Sequence, residues 1–572
     1  MFMKNNIRYN CIYYSALFLS IFFALILIVT SVVFILGFCI SYFTFFIPLI
    51  ISIICIFLLN KNDKLSNKII GIFLAVLVIF LASFVCSKYY DLTWDSNTYH
   101  KDAVGALKNG WNPVHQNYID FYKKTNTRSS NVIGDKLERE RGLWQTHYAK
   151  GTWIIAANFY YLYNNIEKAK ILNLILIYIL IVFSYFFVQN FISNKLLSFF
   201  LAIIFSISPV VLVQAFSYYN DGALYSFILL TLLSFILYMK DNKITNFVFL
   251  FCSIVLCANV KFTGFAYAGL ICFFAYLGFV YIYRNNLKSI SKPTILIFST
   301  IIFSILIVGF NPYVTNTIKN HHPFYPIKGN NSVDIMTHNT PSYFENTFRV
   351  KNLFVSLASE SDNILKATER NPKFKVPFSI SLDELSKLAS PDLRISGFGV
   401  WFFPIIILSS IIILYYLIIL FKRDKNTWVI VFCISIAIIL LTLIIKESWW
   451  ARYTPFIYFV PLMALFLLIA YPIKRKYINN ILVLFLSFII CFNLLLFFKY
   501  NTLENYKHIN DTNKVLKKYK KSDKVIKIIE TSELFIGFLY NLDDNDIKYE
   551  FVKGEKYKNR ENIFKVIPYV KE

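Results

Sequence analysis

Long apolar stretches separated by short polar connections dominate the pattern along this chain. An α-helix needs about 20 predominantly apolar residues to cross a hydrocarbon core roughly 30 Å thick. By this criterion the sequence predicts about thirteen spans, at 13–36, 41–59, 69–87, 169–191, 196–216, 222–239, 245–260, 264–283, 294–312, 397–420, 427–445, 453–473 and 480–498. We therefore expect an all-α polytopic membrane protein with about thirteen transmembrane helices.

Basic residues mark one side of this predicted bundle. Cytoplasmic loops of membrane proteins are enriched in Lys and Arg. With the N-terminus inside, every short inside connection is basic, and the residues concerned are Lys61, Lys64, Lys68, Lys195, Lys240, Lys243, Arg284, Lys288, Lys292, Lys422, Arg423, Lys425, Lys474, Arg475 and Lys476. An odd number of spans then places the C-terminus outside. The abundance of Lys, Asn, Ile, Phe and Tyr is typical of an AT-rich bacterial genome, so we expect a multi-pass protein of a bacterial plasma membrane.

Three long regions fall on the predicted outer side, and they divide the chain. The expected parts are a two-helix extension (1–68), a transmembrane module (69–498) with outer loops 88–168 and 313–396, and an outer appendage (499–572). Within the first loop, residues 152–163 are apolar and aromatic but too short to span. This pattern predicts a juxtamembrane helix lying in the interfacial plane.

The C-terminal region has a different pattern from the rest of the chain. Strand-like runs occur at 524–529, 549–552 and 563–567, and a helix is predicted at 532–541. Short strands combined with one helix indicate a small α/β unit. We therefore expect a compact C-terminal α/β appendage on the outer side of the membrane.

The composition narrows the function classes. A chain that is 57% hydrophobic, 19% aromatic and only 16% charged is not a set of soluble domains. A net charge of +25 would suggest a nucleic acid partner in a soluble protein, but here the basic inside connections account for the excess. The expected environment is the lipid bilayer, with no nucleic acid. All nine cysteines lie in or beside apolar runs, a distribution that favours neither a disulfide framework nor a zinc site.

Two acids, Asp91 and Asp95, follow the third predicted span closely. They fit solvated loop residues, and they equally fit a general base at the membrane face that takes a proton from an acceptor hydroxyl. Tyr99 and His100 follow them and add aromatic surface suited to sugar stacking, or to an interfacial belt. Asp95 and Asp91 are therefore the first candidate catalytic residues.

Asn220 and Asp221 form a predicted tight turn between the spans 196–216 and 222–239. Asn-Asp-Gly is good turn chemistry by itself. The alternative is a second carboxylate facing the first, which orients the acceptor together with Asn220 or binds a divalent cation through oxygen ligands. Asp95 and Asp221 are thus the candidate ligands for Mg²⁺ or Mn²⁺, and no other cofactor is predicted.

Two cations lie at predicted outer ends of apolar spans. Lys261 follows the span 245–260, where a buried ammonium costs at least about 2.5 kcal/mol and calls for a partner or a wet cavity. It fits a snorkelling side chain or a phosphate ligand. Arg452, within Trp449-Trp-Ala-Arg-Tyr453, fits an interfacial anchor or a guanidinium clamp on phosphate oxygens. His147 and Lys150 form a further basic pair just before the predicted interfacial helix.

The order and sidedness of these residues resemble the GT-C superfamily of integral-membrane glycosyltransferases, which includes protein O-mannosyltransferases and aminoarabinose transferases. The resemblance covers most of 69–475 and rests on short motifs: Asp95 with Tyr99, the approach from His147, the Asp221-Gly turn and Arg452-Tyr453. It implies a polyprenyl-phosphate-linked sugar donor, an acidic catalytic residue in the first outer loop and inversion at the anomeric carbon. The chain departs from the pattern by two extra spans before that loop and by Ser where many relatives carry Glu after the acid.

The expected activity is transfer of a sugar from a polyprenyl-phosphate donor to a glycan, lipid or protein acceptor on the outer face. An outward-facing site has no supply of nucleotide sugars, so the sugar must arrive on a lipid. A lipid phosphate leaving group calls for fixed cations, here Lys261 and Arg452. Three alternatives remain open: a transporter or flippase of lipid-linked saccharides, an O-antigen ligase or polysaccharide polymerase, and a non-catalytic assembly partner. The ligase or polymerase would centre on Arg349, Arg370 and Arg394 in the second outer loop.

Overall fold

The computed structural model describes residues 10–59, 61–125, 142–334, 336, 339–345, 347–364, 369–521, 525–530, 536–553, 560–563 and 567–570. Most of this chain is helical. In the first half the helices are α1 (Cys11–Ile35), α2 (Tyr42–Leu58), α3 (Leu65–Cys86), α4 (Lys101–Lys108), α5 (Tyr118–Thr125), α6 (Gly151–Tyr163), α7 (Ile166–Ala169), α8 (Leu172–Gln189), α9 (Lys195–Ser206), α10 (Pro209–Gln214), α11 (Asp221–Asp241), α12 (Ile244–Val260) and α13 (Phe262–Ile282).

The second half continues in the same way. Its helices are α14 (Lys288–Phe303), α15 (Thr315–Asn320), α16 (Arg349–Leu357), α17 (Leu382–Ser386), α18 (Phe402–Arg423), α19 (Lys425–Ile444), α20 (Phe459–Ala470), α21 (Lys476–Lys521) and α22 (Ile536–Asp543). Short π-helical segments occupy Ser96–His100, Ser304–Val308 and Phe310–Val314, and short 3₁₀ turns occupy Ser342–Phe344, Ala451–Tyr453 and Pro455–Tyr458.

Within the described ranges, nine helices are long and apolar enough to cross a membrane, which makes this a membrane-embedded protein. They are Cys11–Ile35, Leu65–Cys86, Ile166–Gln189, Asp221–Asp241, Phe262–Ile282, Lys288–Val308, Phe402–Arg423, Lys425–Ile444 and Lys476–Lys521. Four shorter apolar helices, Tyr42–Leu58, Lys195–Ser206, Ile244–Val260 and Pro455–Ala470, coincide with the other predicted spans. The all-α membrane class is confirmed, and the count of thirteen stays a prediction.

Helix α11 lies at the centre of the bundle. Its apolar stretch is 94% buried, whereas that of Lys288–Val308 is only 22% buried and faces outward. Residues along every face of α11, from Asp221 to Met239, are buried. An apolar helix buried on all sides is a core element. The first residue of α11, Asp221, is therefore held at one end of the most enclosed helix of the protein.

Three local predictions differ from the structure. The predicted span 196–216 is divided into α9 and α10, with Ser208 as the N-cap of α10 and Pro209 at its first position; the turn before α11 comprises residues 215–220, and Asp221 opens α11. The helix that contains the last predicted span (480–498) continues beyond the apolar run, to Lys521. The helix predicted at 152–163 is present as α6, but residues on nearly all its faces are buried within the protein.

The C-terminal region forms a four-stranded sheet in the order β2-β1-β4-β3, with β1 at Ile526–Glu530, β2 at Tyr549–Lys553, β3 at Arg560–Ile563 and β4 at Ile567–Val570. β1 and β2 are parallel, and the other two pairs are antiparallel. Of the run predicted as one strand at 563–567, Ile563 ends β3 and Ile567 begins β4, and residues 564–566 lie outside the described residues.

Helix α22 packs this unit against the first of the two long loops, 88–168, which we call the first polar loop; the second polar loop is 313–396. A Cβ on Gly105 of α4 would lie 2.1 Å from the Tyr540 ring, and one on Gly537 would lie 2.8 Å from the Asn97 carbonyl oxygen. Only glycine permits such close approach. The C-terminal unit is thereby fixed against the π-helical segment Ser96–His100, which immediately follows Asp95.

Candidate functional site

Four of the predicted site residues come together at the ends of four different elements. Asp95 directly precedes the π-helical segment Ser96–His100, and Asp221 opens α11, where a carboxylate suits the positive end of the helix dipole. Lys261 is the single extended residue between α12 and α13, and Arg452 lies in the 3₁₀ turn Ala451–Tyr453. The sequence predicts all four residues on the same side of the membrane, and it therefore predicted that their side chains could meet.

These side chains form one chain of ionic contacts. Arg452 Nη1 donates to Asp95 Oδ2 at 3.0 Å, and Arg452 Nε lies 3.8 Å from Asp221 Oδ2. Lys261 Nζ donates to Asp221 Oδ1 at 2.7 Å. All four side chains are at least four-fifths buried, and Asp95 is the most exposed at 18%. The ammonium of Lys261 and the carboxylate of Asp95 therefore belong to the same enclosed cluster.

A third carboxylate joins the cluster from the second large loop. Asp392 Oδ1 lies 3.1 Å from Arg452 Nη1, and the other oxygen of Asp392 accepts a hydrogen bond from Arg394 Nε. Asp392 was missed in the sequence. The signal was present, because the opposite charges of Asp392 and Arg394 stand just before the span that starts at 397. Of the three arginines named for the ligase alternative, only Arg394 reaches the cluster.

The other two arginines of that loop lie elsewhere. Arg349 Nη1 donates to the carbonyl oxygens of Leu443 and Ile444, and Arg370 forms an exposed ion pair with Asp362 at 3.2 Å. Exposed pairs of this kind contribute about 0–1 kcal/mol. Neither Arg349 nor Arg370 contacts a residue of the charged cluster in these interactions.

Aromatic rings enclose the guanidinium of Arg452. Its central carbon lies 5.2 Å from the ring centre of Tyr219, 5.1 Å from that of Trp450 and 5.1 Å from that of Tyr453. Lys261 Nζ lies 4.6 Å from the Tyr453 ring centre. Cation–π contacts of this kind hold a cation in a fixed position within a partly dehydrated site. Tyr219 was also missed, although it stands two residues before Asp221.

Tyr99 and His100 line the same side of the cluster. Their rings are 4.2 Å apart, and the ring of His100 lies 6.3 Å from that of Tyr219. The indole N–H of Trp153 donates to His100 Nδ1 at 2.6 Å, so the ring proton resides on Nε2. Burial lowers the pKa of His100 to about 3, which keeps the imidazole neutral at physiological pH. His100 is thus suited to donating a hydrogen bond, not to carrying charge.

The environment of Asp95 favours a base. Burial raises the pKa of the Asp95 carboxyl, and Asp392 and Asp221 raise it further, while Arg452 opposes the shift. Asp95 Oδ2 is held by Arg452, and the backbone N–H of Asp95 faces the Tyr219 hydroxyl oxygen at 3.5 Å. A carboxylate with a raised pKa accepts a proton more readily than an ordinary one. Groups from two other segments, Arg452 and Tyr219, therefore hold Asp95.

Asp91, the other candidate base, has a structural position. Its Oδ2 accepts from the Tyr218 backbone N–H at 2.7 Å, and its Oδ1 accepts from both the N–H and the hydroxyl of Thr93. The side chain is buried, at 2% exposure. These bonds tie the first polar loop to the segment that leads into α11. Asp91 supports the loop that carries Asp95 and makes none of these bonds to the charged cluster.

The remaining predicted contacts lie outside the cluster. His147 Nδ1 pairs with Asn316 Oδ1 at 2.8 Å, and its ring meets that of Tyr325. Lys150 is buried, and its ammonium donates to the Thr146 and Tyr148 carbonyl oxygens at 2.9 and 2.8 Å. These two residues shape the loop walls.

Asn220 belongs to the frame of the cluster. Its side-chain amide faces the carbonyl oxygen of Val260 at 3.4 Å. The contact links the start of α11, which carries Asp221, to the end of α12, which precedes Lys261. Asn220 therefore supports the placement of the Asp221–Lys261 pair and takes a positioning role.

The cluster is poorly matched to a divalent cation. Arg452 lies between the carboxylates of Asp95, Asp221 and Asp392, and Lys261 is bonded to the same Asp221. A metal bound by Asp95 and Asp221 would have to displace a fixed guanidinium, and Mg²⁺ requires several oxygen ligands in octahedral geometry. Across the described ranges no group of three or more His, Cys, Asp or Glu side chains is arranged to hold a metal ion.

An apolar groove lies among the helices that precede and follow Lys261. It has a volume of about 410 Å³ and lies among α11, α12, α13 and the helix that starts at Lys288, with Cys257 and Gly264 at the end near Lys261. The Gly264 N–H donates to the Lys261 carbonyl at 2.9 Å. Gly269 lines the groove farther along, and a Cβ there would meet no atom within 4 Å. The groove therefore has room for an extended apolar chain.

Comparison with protein-family models gives no match for this sequence, and comparison with curated proteins gives none either. The functional assignment therefore depends on the residues and geometry of the site.

Proposed function

We propose that this protein is an inverting, GT-C-like glycosyltransferase that moves a sugar from a polyprenyl-phosphate donor to an acceptor. One observation carries the proposal: two buried cations, Lys261 and Arg452, share a cluster with the carboxylate of Asp95, and the helices on either side of Lys261 line an apolar groove. An anionic head on an apolar chain matches that combination. Asp95 is the base in this proposal, and Lys261 and Arg452 are the phosphate ligands.

Fixed cations in the cluster support an anionic leaving group. Lys261, Arg394 and Arg452 stand beside the carboxylates of Asp95, Asp221 and Asp392. The donor phosphate gains a second negative charge when its sugar departs. Fixed cations in a water-poor site stabilise such developing charge strongly. Arg452 Nε is buried, lies 3.8 Å from Asp221 Oδ2 and makes no hydrogen bond, so in this proposal it is the guanidinium donor left for a phosphate oxygen.

The exposure of the three carboxylates distinguishes their roles. The Asp95 side chain is 18% exposed, against 6% for Asp392 and 2% for Asp221. An acceptor hydroxyl can therefore approach Asp95 most readily. In the proposed step the acceptor oxygen bonds to the anomeric carbon, the carbon–oxygen bond to phosphate breaks, and the acceptor proton passes to Asp95. A single displacement inverts the anomeric carbon.

The proposed topology has thirteen spans, with the N-terminus inside and the site on the outer face of a bacterial plasma membrane. Its support is the basic character of the short connections on the opposite side. An outer site explains why the sugar would be carried by a lipid. The donor tail would occupy the groove beside Lys261, in contact with both the protein and the bilayer.

The decisive test uses purified protein in lipid nanodiscs with a panel of polyprenyl-phosphate sugars and mixed acceptors. We expect release of polyprenyl phosphate together with a glycosylated product, detected by mass spectrometry. A parallel assay in liposomes measures movement of the intact donor between leaflets. Movement without cleavage of the sugar–phosphate bond would contradict the proposal and assign the protein to transport.

The groove has its own test. Gly269→Phe fills the groove without a steric clash at Cβ, because no atom lies within 4 Å of that position. We expect KM to rise for long-chain polyprenyl donors and to stay unchanged for donors with a short prenyl chain. Leu277→Phe is the matched control, because Leu277 is exposed on the same helix and does not line the groove. Equal effects on long and short donors would remove the groove from the proposal.

A further inference from the structure

A row of exposed apolar side chains lies within the second polar loop, at residues 374–382. The sequence there reads Phe-Lys-Val-Pro-Phe-Ser-Ile-Ser-Leu, so apolar residues occupy alternate positions. Alternation of this kind usually marks a segment that buries its apolar side chains. Here they remain between 39% and 85% exposed, and the residues are Phe374, Val376, Phe378, Ile380 and Leu382. We call residues 374–382 the apolar strip.

The apolar strip lies beside two of the long apolar helices. The ring of Phe378 is 5.5 Å from that of Trp401, which precedes α18, and 6.4 Å from that of Phe485 on α21. The Trp401 ring stacks on Phe492 of α21 at 4.0 Å, and its indole N–H donates to the Phe378 carbonyl oxygen at 3.1 Å. The apolar run of α21 ends at residue 498, so the helix rise puts Phe485 about 20 Å before that end. Phe378 therefore lies beside the apolar part of α21 and not beyond it.

The polar residues of the strip fasten it to the protein. The ammonium of Lys375 pairs with the carboxylate of Glu384, and the Lys375 side chain is only 7% exposed. The backbone N–H of Lys375 donates to the Ala358 carbonyl oxygen at 3.1 Å, and Phe374 forms a β-bridge with Ser359. These contacts hold the strip against the rest of the loop, with its apolar side chains directed outward.

A second apolar edge of the same loop lies near the start of α18 and the end of α19. Phe348 is 86% exposed, and Phe354 of α16 is 55% exposed. The Phe354 ring lies 5.4 Å from that of Phe403, at the start of α18. Arg349, the first residue of α16, donates to the carbonyl oxygen of Ile444 at the end of α19. The loop thus presents exposed apolar residues at two places where long apolar helices begin or end.

Lipid is the partner that this surface fits. Large exposed apolar patches mark contact with a membrane or with another protein. Phe485 and Phe488 of α21 are exposed as well, so the strip continues the surface by which α21 faces the bilayer. Exposed lysines stand beside each apolar edge, Lys351 on α16 and Lys373 before the strip, and their ammonium groups can reach the phosphates of lipid headgroups. A soluble protein would have to displace lipid to reach the strip.

We propose that the second polar loop inserts both apolar edges, the strip and Phe348 with α16, into the acyl chains of the bilayer leaflet beside α18 and α21. The partner is a lipid surface. The loop is therefore anchored in the membrane and does not stand free in water. This anchor supports the charged cluster, because α17 begins within the strip at Leu382 and Asp392 follows it in the same loop. The inference depends on the membrane-embedded fold and not on sugar transfer.

The test places a photo-crosslinking amino acid in the full-length protein, as the variants Val376→benzoylphenylalanine and Phe348→benzoylphenylalanine. Val525→benzoylphenylalanine is the matched control, because Val525 is an exposed valine beyond the end of α21. That helix extends about 35 Å past its apolar run before it ends at Lys521. Each variant is irradiated in phospholipid nanodiscs, and adducts are mapped by mass spectrometry. We expect adducts on lipid acyl chains at positions 376 and 348 and none at position 525.

The site of attachment separates insertion from other contacts. All three variants carry the same apolar group at an exposed position, so a difference between them reports the surroundings of each position. No lipid adduct at 376 and 348, adducts confined to headgroups, or equal acyl-chain adducts at 525 would each overturn the inference. Crosslinks from 376 or 348 to a second protein chain would overturn it in favour of a protein partner. Acyl-chain adducts in a protein that transfers no sugar would support the anchor while the proposed function fails.

Discussion

Two buried clusters of charged side chains flank the π-helical segment Ser96–His100, one on each side along the chain. The first contains Lys101, Glu167 and Lys170, and the second is the Asp95–Arg452 cluster. In the first, the ammonium of Lys101 donates to Glu167 Oε1 at 2.7 Å, to the Asp91 carbonyl oxygen at 2.8 Å and to Asn541 Oδ1 at 2.9 Å. An ammonium has three N–H groups, and all three are used.

The carboxylate of the first cluster is equally well satisfied. Glu167 Oε1 also accepts from the Asn541 amide at 2.8 Å, and Glu167 Oε2 contacts Lys170 Nζ and the Asp91 N–H. The side chains are 0–2% exposed. This cluster therefore holds together the first polar loop, the start of the helix Ile166–Gln189 and the C-terminal unit.

The Asp95–Arg452 cluster also consists of buried carboxylates and cations, but its hydrogen bonds are incomplete. One guanidinium nitrogen, Arg452 Nε, is buried without a hydrogen-bond partner, and Asp95 is 18% exposed. A buried charge with an unsatisfied donor costs stability, so such an arrangement persists where a ligand completes it. The comparison separates a fully paired cluster from the candidate site, where one donor makes no hydrogen bond.

Asp95→Asn gives the largest expected effect. The amide keeps the shape of the side chain and can still accept from Arg452, but it cannot take a proton. We expect sugar transfer to fall about 10²–10⁴-fold, with unchanged membrane expression and unfolding temperature. Asp91→Asn is the contrasting variant, and it should lower the unfolding temperature. Full transfer activity in Asp95→Asn would remove this residue from the mechanism.

Glu167→Gln should have the largest effect on stability. Removal of one partner from a buried ion cluster typically costs about 3–5 kcal/mol, because the remaining charges stay buried without compensation. Thermal unfolding of the purified protein in detergent measures the loss. Glu504→Gln is the control, because the partly exposed pair with His508 should contribute about 0–1 kcal/mol. Similar unfolding temperatures for both variants would contradict the structural role of the first cluster.

Lys261→Met should weaken donor binding. Loss of a charge-assisted hydrogen bond costs about 1.5–3 kcal/mol, which corresponds to a rise in donor KM of about ten- to a hundredfold. Lys261→Arg should recover part of the loss, because it restores the charge. Lys243→Met serves as the control, since Lys243 is half-exposed. A donor KM unchanged in Lys261→Met would show that this cation does not bind the phosphate.

The smallest expected effect is a shift in the pH profile. The reaction needs ionised Asp95, so the rate should fall on acidification, at a higher pH than for an ordinary aspartate because its pKa is raised by burial. Asp392→Asn removes a neighbouring negative charge, which lowers the pKa of Asp95 and moves the acidic limb to lower pH. Asp120→Asn, at an exposed position, should leave the limb in place. A shift to higher pH in Asp392→Asn would exclude Asp95 as the titrating base.

Much of the fold was predictable from the sequence because its signals are local. Apolar runs and their lengths identify the spanning helices, and the strand-like runs near 526 and 549 were recognisable from a few neighbouring residues. The same local rules failed where a helix continued beyond its apolar part, as α21 does to Lys521. No change of periodicity marks that point.

The candidate site was predictable only in part. Asp95, Asp221, Lys261 and Arg452 stand out because charged residues at the edges of apolar spans are unusual. Tyr219 was missed because one tyrosine among many carries no distinguishing local signal. Asp392 was missed although it stands with Arg394 just before the span that starts at 397. Lys150 and His147 were proposed as substrate contacts, but the structure gives both residues partners within the loops.

The sequence by itself determined the membrane class, the helices and the set of charged residues at the ends of the apolar spans, because each follows from the composition of a short window. Tertiary structure decided which charges meet. Asp95 and Arg452 are 357 positions apart in the sequence. Their contact depends on how the helices pack and not on the residues next to either of them in the sequence. Packing also decided that all hydrogen-bonding groups of the Lys101–Glu167–Lys170 cluster have partners, whereas Arg452 Nε has no hydrogen bond. The partners come from segments that are distant in the sequence, so no local pattern predicts them.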